Sequence, residues 1–282
     1  MNHGNKKQRR ALLRGAIGIA LGLGAGAAAR ADEAYDRIRA TGILKVGVYK
    51  EFFPFADDEA GIDVDIAKAL ATQLGLKLKL LPFDAGDDVG DDLRNMVWKG
   101  HYLGYGPADV LLHVPVDRVL QEANKQVEIF GPYWREQLEV ARNTERLPDW
   151  TGFDVFQKEK IVVDGASISS IAMLSLEAGR YRENVINAHD IKVALDTFRN
   201  GGAAAVMGTR AELQAGLAGM SDVAIEPVKI PGLPVSGWAV GMAVKAESMD
   251  LAHALQGALN QIIDSGAMAA IFARHNVRYV RP

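Results

Sequence analysis

The chain of 282 residues contains no cysteine. Disulfide bonds, zinc sites built on thiolates and cysteine nucleophiles are therefore excluded. No short-period repeat or low-complexity tract is present after the first 31 residues. Hydrophobic residues make up 49% of the chain, which is typical of a globular protein and not of a disordered one. The length is that of one large domain or of two small ones.

Patterns that would indicate catalysis or a metal site are also missing. The aspartate-rich segment at residues 84–92 lacks both the acid spacing and the closing glutamate of an EF-hand, so it is predicted to be a solvated loop and helix start. Ser167 follows a predicted strand, but its surroundings, DGASIS, do not form a G-x-S-x-G turn, and no paired base is evident. We therefore expect a protein that is not an enzyme and that holds no metal or cofactor.

The first 31 residues have the pattern of an export signal. A basic stretch at residues 6–10 precedes a run rich in alanine, glycine and leucine, and ARA at residues 29–31 is an A-x-A cleavage site. The run is interrupted by Arg14 and contains many glycines, which favours a cleaved signal over a membrane anchor. QRRALLR resembles a twin-arginine signal, with a Sec signal as the alternative. The prediction is a periplasmic monomer that is not embedded in the membrane.

The predicted mature chain is acidic. Without the signal it has 26 basic and 35 acidic residues, a net charge of about −9. An acidic surface argues against nucleic acid as a partner, because phosphate backbones are recognised by positive charge. It would suit a basic protein partner, and it is equally typical of a surface that only keeps a protein soluble.

Strand and helix patterns alternate along the chain, and the alternation starts twice. The first unit contains strands near residues 43–48, 76–83 and 109–116, with helices near 63–75 and 91–98. The second unit contains strands at 159–163 and 203–207 and helices at 169–179, 190–201 and 210–217, before terminal helices at 249–266 and 267–274. This order predicts two α/β units with parallel strands and a ligand cleft at the carboxyl ends of those strands.

Four segments together resemble the bacterial extracellular solute-binding proteins of family 3, the periplasmic receptors of amino acid ABC transporters. They are GILKVGVYKEFFPF with the following GIDVDIAKALATQLG, then FGPY at 130–133, NGGAAAVMGTR, and the closing stretch from WAVGMAVK to FARHNV. The resemblance covers about residues 42–277. It implies an α/β fold of the periplasmic binding protein type II, with two lobes joined by a two-strand hinge.

The family topology also implies boundaries. Lobe 1 would contain residues 42–133 and 239–282, and lobe 2 residues 139–233. The hinge would lie at 133–138 and 234–238. The implied ligand-binding residues are Tyr49, Phe52, His113, Asp117, Arg118, Ser167 and Thr209.

The family's amino acid anchors are not retained. The arginine that holds the ligand carboxylate aligns with Ala123, and the aspartate that binds the ammonium group aligns with Thr209. The acid in the first strand-end loop aligns with Tyr49, and Arg118 has the wrong spacing to replace the arginine. Charged hydrogen bonds contribute roughly 1.5–3 kcal/mol each, so their loss predicts a solute other than a standard amino acid.

A loop also departs from the family. HYLGYGPA at residues 101–108 is an insertion between Gly100 and Asp109, and it places His101, Tyr102 and Tyr105 among glycines. Aromatic side chains on such a loop suit a partner surface or a cleft lid, and a packed Ω-loop is the alternative. The altered cleft resembles a side branch of the family, accessory proteins of quinoprotein methanol and alcohol dehydrogenases. Two functions remain open: a solute receptor that feeds an ABC permease, and an accessory protein that docks on a quinoprotein dehydrogenase or cytochrome c.

Overall fold

The structure is a computed structural model that describes residues 33–57, 59–231 and 237–282. The predicted export signal at 1–31 and most of the predicted hinge segment at 234–238 lie outside these residues. The described residues form two mixed sheets of five strands each.

The first sheet confirms the three parallel strands predicted for the first unit. It contains β1 (Ile43–Tyr49), β2 (Lys77–Phe83), β3 (Val110–Pro115), β4 (Val127–Glu136) and β10 (Trp238–Lys245), in the order β2-β1-β3-β10-β4. Strand β1 runs parallel to β2 and β3, whereas β10 runs antiparallel to β3 and β4. The second half of the chain therefore returns to complete the first sheet.

Helices cover both faces of this sheet. They are α1 (Glu33–Thr41), α2 (Ile62–Gln73), α8 (Met249–Asp264) and α9 (Ala267–Arg274) on one face, and α3 (Val89–Leu93) with α4 (Arg118–Ala123) on the other. A π-helical turn at Arg94–Trp98 extends α3. Helix α2 buries Ile66 and Leu70, as its four-residue spacing predicts. The helix begins at Ile62 without a side-chain cap, and Asp63 is turned into the interior.

The second sheet has the same plan. It contains β5 (Leu138–Asn143), β6 (Ile161–Asp164), β7 (Val185–Ala188), β8 (Ala205–Thr209) and β9 (Val223–Pro227), in the order β7-β6-β8-β5-β9. Helices α5 (Ile168–Ser175), α6 (Ile191–Arg199) and α7 (Arg210–Gly216) pack on it. Asp190 caps α6 by accepting a hydrogen bond from Val193 N at 2.8 Å. Helix α5 is shorter than predicted, because Glu177 and Ala178 have positive φ angles.

The chain passes between the sheets with little intervening structure. A single residue, Gln137, separates β4 in the first sheet from β5 in the second. On the return, Trp238 at the start of β10 packs against the apolar cores of both units. Helix α7 also touches the first unit, because Ala211 belongs to its core and Gln214 accepts a hydrogen bond from Arg278 N at 2.9 Å. Among the described helices, none has both the length and the apolar composition of a membrane-spanning segment.

Candidate functional site

The carboxyl ends of the parallel strands carry most of the predicted ligand-binding residues. Tyr49 ends β1, Asp117 follows β3, Ser167 follows β6 and Thr209 ends β8. Ligands of open α/β folds bind at such strand ends, so this region, hereafter the cleft region, is the candidate site. Which of these side chains would contact a solute stays a prediction.

His113 lies in a buried network and not in an open site. Its Nδ1 is 3.0 Å from Asp63 Oδ2, and its backbone N–H donates to the Tyr133 hydroxyl at 2.9 Å. The Tyr133 hydroxyl in turn donates to Asp63 Oδ1 at 2.8 Å. Only 8% of His113 is exposed, and the residue has a φ of +61°, an uncommon value for a non-glycine residue. The ring nitrogen that makes a hydrogen bond therefore faces Asp63 of α2.

Two phenylalanine rings close off this network. Phe52 and Phe55 meet the His113 ring edge-on, with centroid distances of 4.7 and 4.2 Å. Phe52 packs mainly with the first unit, whereas its neighbour Phe53 reaches the core of the second unit. An ion pair between Lys192 and Asp57, 2.6 Å from Nζ to Oδ2, joins the two units beside Phe53.

Tyr49 makes a second internal contact. Its hydroxyl donates to Asp92 Oδ2 at 2.8 Å, and Asp92 Oδ1 accepts from Gly86 N at 2.7 Å. Burial raises the pKa of Tyr49 well above its usual value, with the Asp92 charge adding to the shift. Burial also raises the pKa of Asp92. The aspartate-rich segment therefore contributes a structural hydrogen bond, and the described residues contain no group of three or more His, Asp or Glu suited to a metal ion.

The short helix α4, which the sequence pattern did not predict, determines the surroundings of Asp117 and Arg118. Asp117 caps this helix by accepting from Leu120 N at 2.8 Å. The side chain of Arg118 is 87% exposed, and its Nε lies 3.7 Å from Glu122 Oε1. Ala123, which aligns with the family's arginine, ends the helix and is exposed.

Ser167 and Thr209 are both helix caps. Ser167 precedes α5, and its hydroxyl donates to Asp164 O at 2.7 Å while accepting from Ser170 N at 3.4 Å. Thr209 forms a reciprocal capping box with Glu212: Glu212 N donates to the Thr209 hydroxyl at 3.4 Å, and Thr209 N donates to Glu212 Oε2 at 2.7 Å. Burial raises the pKa of Glu212 to about 7.

Sequence reasoning missed a buried polar cluster at the crossing between the sheets. The carboxylate of Glu136, a residue only 1% exposed, accepts from Trp134 Nε1 at 3.1 Å and from Gln137 N at 3.0 Å. Burial raises its pKa to about 8, and the nearby Glu212 charge adds to the shift. Beside it Arg210 Nε donates to Glu139 Oε1 at 3.0 Å. The sequence patterns of β4 and β5 did not indicate that these acids are buried, because charged residues normally face solvent.

The inserted loop presents stacked rings at the surface. The rings of His101 and Tyr105 stack at 4.1 Å, and the rings of His101 and Tyr102 lie 4.3 Å apart. Tyr102 is 87% exposed and Leu103 is 69% exposed. The loop lies near the start of β3, whereas the cleft region lies at the other end of that strand. The loop is therefore not positioned to form a lid over the cleft.

Comparison with models of protein families found none that matches this chain, and comparison with curated proteins found no match. Solved structures do match it over most of its length. An ancestral cationic amino acid solute-binding protein is 20% identical with a TM-score of 0.67, covering 86% of this chain and 98% of its own.

Two further structures agree with this match. An amino acid ABC transporter substrate-binding protein from Streptococcus pneumoniae, bound to L-arginine, is 17% identical with a TM-score of 0.61 over 88% of this chain and 99% of its own. A solute receptor for L-cysteine from Neisseria gonorrhoeae is 19% identical with a TM-score of 0.57 over 85% and 92%. One structure of the ancestral protein is described as a precursor of cyclohexadienyl dehydratase. Together with the two mixed sheets, these likenesses show that the chain has the type II periplasmic binding protein fold.

Proposed function

We propose that this protein is a periplasmic receptor for a small solute that is not a standard amino acid, and that it feeds an ABC permease. The fold supports a binding role. The choice of solute rests on one observation: polar groups of the cleft region already have hydrogen-bond partners inside the protein. Tyr49 is bonded to Asp92, His113 to Asp63 and Thr209 to Glu212. A zwitterion would find these groups already engaged.

The arginines of the cleft region support the same conclusion about the solute. Arg210 is paired with Glu139, and both side chains are nearly buried. Arg118 points to Glu122 on its own helix. A ligand carboxylate that met only these paired cations would lose its hydration and gain little in return. A neutral or weakly polar solute that contacts Phe52 and Phe53 suits the site better.

Isothermal titration calorimetry with each of the twenty standard amino acids is expected to show no affinity tighter than micromolar. The physical reason is the absence of the bidentate arginine and the ammonium-binding aspartate, at Ala123 and Thr209. A cooperative thermal transition recorded on the same samples serves as the control for folding. Sub-micromolar binding of any standard amino acid would contradict the proposed solute class.

A second function is supported by one observation, the exposed ring stack of the inserted loop. In this alternative the protein is an accessory factor that docks on a periplasmic quinoprotein dehydrogenase or its cytochrome c. Aromatic side chains carry a large share of interface energy, and exposed rings of this size are uncommon without a partner. The quinoprotein branch stays a proposal that rests on the sequence resemblance.

Replacement of Tyr102 and Tyr105 by serine is expected to abolish capture of the dehydrogenase or cytochrome from periplasmic extract, with the melting temperature changed by less than about 2 °C. Tyr102 makes few internal contacts, so its loss should cost little stability. Ile171→Ser, at a side chain that is 70% exposed on α5, is the matched control and should leave capture intact. Clear destabilisation with unchanged capture would identify the loop as structural and would reject the docking role.

A further inference from the structure

Three acidic side chains lie close together where the chain crosses between the two units. Glu136 ends β4 of the first sheet, Glu139 lies in β5 of the second sheet, and Glu212 lies in the first turn of α7. Glu136 is 1% exposed and Glu139 is 5% exposed, whereas Glu212 is half-buried. We call these three residues the crossing acids. A carboxylate in such surroundings needs a cationic partner or a proton, because burial penalises its charge.

Arg210 neutralises one of the crossing acids. Its Nε donates to Glu139 Oε1 at 3.0 Å, and Gln137 Nε2 donates to the same oxygen at 2.6 Å. The Arg210 side chain is nearly buried, so its charge is committed to this contact. Arg210 and Glu139 therefore form a pair without net charge, and the other two crossing acids must be neutralised in another way.

Among the described residues, the donors to Glu136 and Glu212 are neutral groups. Glu136 accepts from Trp134 Nε1 at 3.1 Å and from Gln137 N at 3.0 Å, and Glu212 accepts from Thr209 N at 2.7 Å. Such bonds offset part of the cost of a buried charge. Burial still raises the pKa of Glu136 to about 8 and that of Glu212 to about 7. A proton on this pair removes a charge that the surrounding groups do not balance.

Glu136 and Glu212 belong to different units. Glu136 is part of the first sheet, whereas α7, which carries Glu212, packs on the second sheet. Ala211, the neighbour of Glu212, reaches the apolar core of the first unit, so α7 brings its acid against that unit. The Glu212 charge raises the pKa of Glu136, as expected for like charges at short range. The predicted hinge motion would therefore change the distance between two like charges.

The elements around this pair contribute neutral or acidic groups. Strand β10 contributes Trp238, which lies directly opposite the last residue of β4. Asp164, at the end of β6, adds a negative charge that acts on Glu212. Tyr279 stacks on Trp134 with a centroid distance of 6.3 Å, and burial raises the pKa of its hydroxyl, so this group stays neutral at ordinary pH. Protonation is therefore the simplest way to neutralise the pair.

We propose that Glu136 and Glu212 form a pH switch between the two units: closure takes up a proton at this pair, so acidification favours the closed conformer. Closure holds the acids together and away from water, whereas separation returns their pKa values toward the ordinary 4.5. Closure is thus favoured most below the pKa values of the open form, and this contribution is lost as pH rises through about 7 to about 8. Each pKa unit between the two conformers changes the closed-to-open ratio by about tenfold.

Fluorescence energy transfer across the cleft, measured without any solute between about pH 8 and about pH 5, tests the switch. The chain has no cysteine, so Val119→Cys on α4 and Ile171→Cys on α5 provide two specific labelling sites. Their side chains are 69% and 70% exposed, so labelling should not disturb the fold. The transfer efficiency is expected to rise as the pH is lowered.

Glu136→Gln with Glu212→Gln should hold the transfer efficiency, at every pH, at the acidic wild-type value. Glutamine keeps an acceptor oxygen and is a normal partner in a capping box, so these changes remove the charge and preserve the hydrogen bonds. The matched control is Glu177→Gln with Glu183→Gln, which removes two exposed carboxylates of the second unit and should titrate as wild type does. Histidines titrate in the same range, and the comparison of the two double variants separates their contribution.

A wild-type transfer efficiency that stays constant or falls on acidification would overturn the proposal. An unchanged titration in Glu136→Gln with Glu212→Gln would also overturn it. Glu136→Gln alone is the milder variant, and it should reduce the response to pH; an undiminished response there would count against the switch as well. Because no solute is present, failure of the switch would leave the proposed solute receptor untouched.

Discussion

Replacement of Asp63 by alanine is expected to lower the free energy of unfolding by about 3–5 kcal/mol, the range for breaking a buried polar pair on one side. The carboxylate, in a residue only 2% exposed, serves both the Tyr133 hydroxyl and His113 Nδ1. Its removal takes the acceptor from the Tyr133 O–H and the partner from His113 Nδ1, and a buried polar group that loses its partner costs about 1–3 kcal/mol. Urea unfolding monitored by tryptophan fluorescence measures the change.

Asp84→Ala is the matched control for this experiment. Asp84 is also an aspartate of the first unit with a cationic partner, Lys50, but its side chain is 77% exposed. Exposed ion pairs contribute about 0–1 kcal/mol, so this variant should remain close to wild type. If both substitutions cost the same, the buried network around His113 would not stabilise the fold as the geometry indicates.

The stability of the wild-type protein is expected to fall as pH rises from about 5 to about 8, and Glu136→Gln should flatten this decline. The folded-state pKa of Glu136 is raised from its usual 4.5 to about 8. Below 4.5 both states are protonated, so the full contribution of the group is present. Between the two values the unfolded chain loses its proton first, and unfolding becomes easier by about 1.4 kcal/mol per pH unit. Above about 8 both states are ionised and the decline stops.

Chemical denaturation at several pH values measures this slope. The variant should retain the part due to Glu212, whose pKa is about 7, and to Asp92 and Asp109, whose pKa values burial also raises. Glu177→Gln, at a side chain that is half exposed, is the control and should keep the wild-type slope. A Glu136→Gln profile that parallels wild type from pH 5 to 8 would show that Glu136 is ionised in the folded state despite its burial.

The elements that sequence patterns predicted well are those with strong periodicity. Helices α2, α6 and α8 each bury an apolar stripe at helical spacing, and strands β1, β3 and β6 are rich in branched apolar residues. Two of the elements that were missed lack an apolar stripe. Helix α4 has no buried residue at all, and β9 has no fully buried residue. Their positions are determined by tertiary pairing, which periodicity does not report.

The candidate site was less accessible to sequence reasoning than the fold. The predicted strand order was sufficient to place Tyr49 and Thr209 at the carboxyl ends of their strands. The partner of Tyr49 was not predictable, because the orientation of Asp92 depends on packing. The partner of Thr209 was predictable but was missed, since Thr209 and Glu212 have the spacing of a capping box. His113 shows the same limit: its nearest acids in sequence are Asp109 and Asp117, whereas its actual partner, Asp63, is 50 residues away.

The contact of Phe53 with the second unit bears on the equilibrium between open and closed conformers. Opening by a hinge motion would return this ring to water, and burial of a phenylalanine side chain is worth about 1.5–3 kcal/mol when complete. The Lys192–Asp57 ion pair, with both side chains well exposed, adds little. Of these two contacts, we therefore expect Phe53 to contribute more to the stability of the closed conformer. A ligand-free sample already biased toward closure would compact only slightly on binding, and Phe53→Ala would enlarge that change in small-angle scattering.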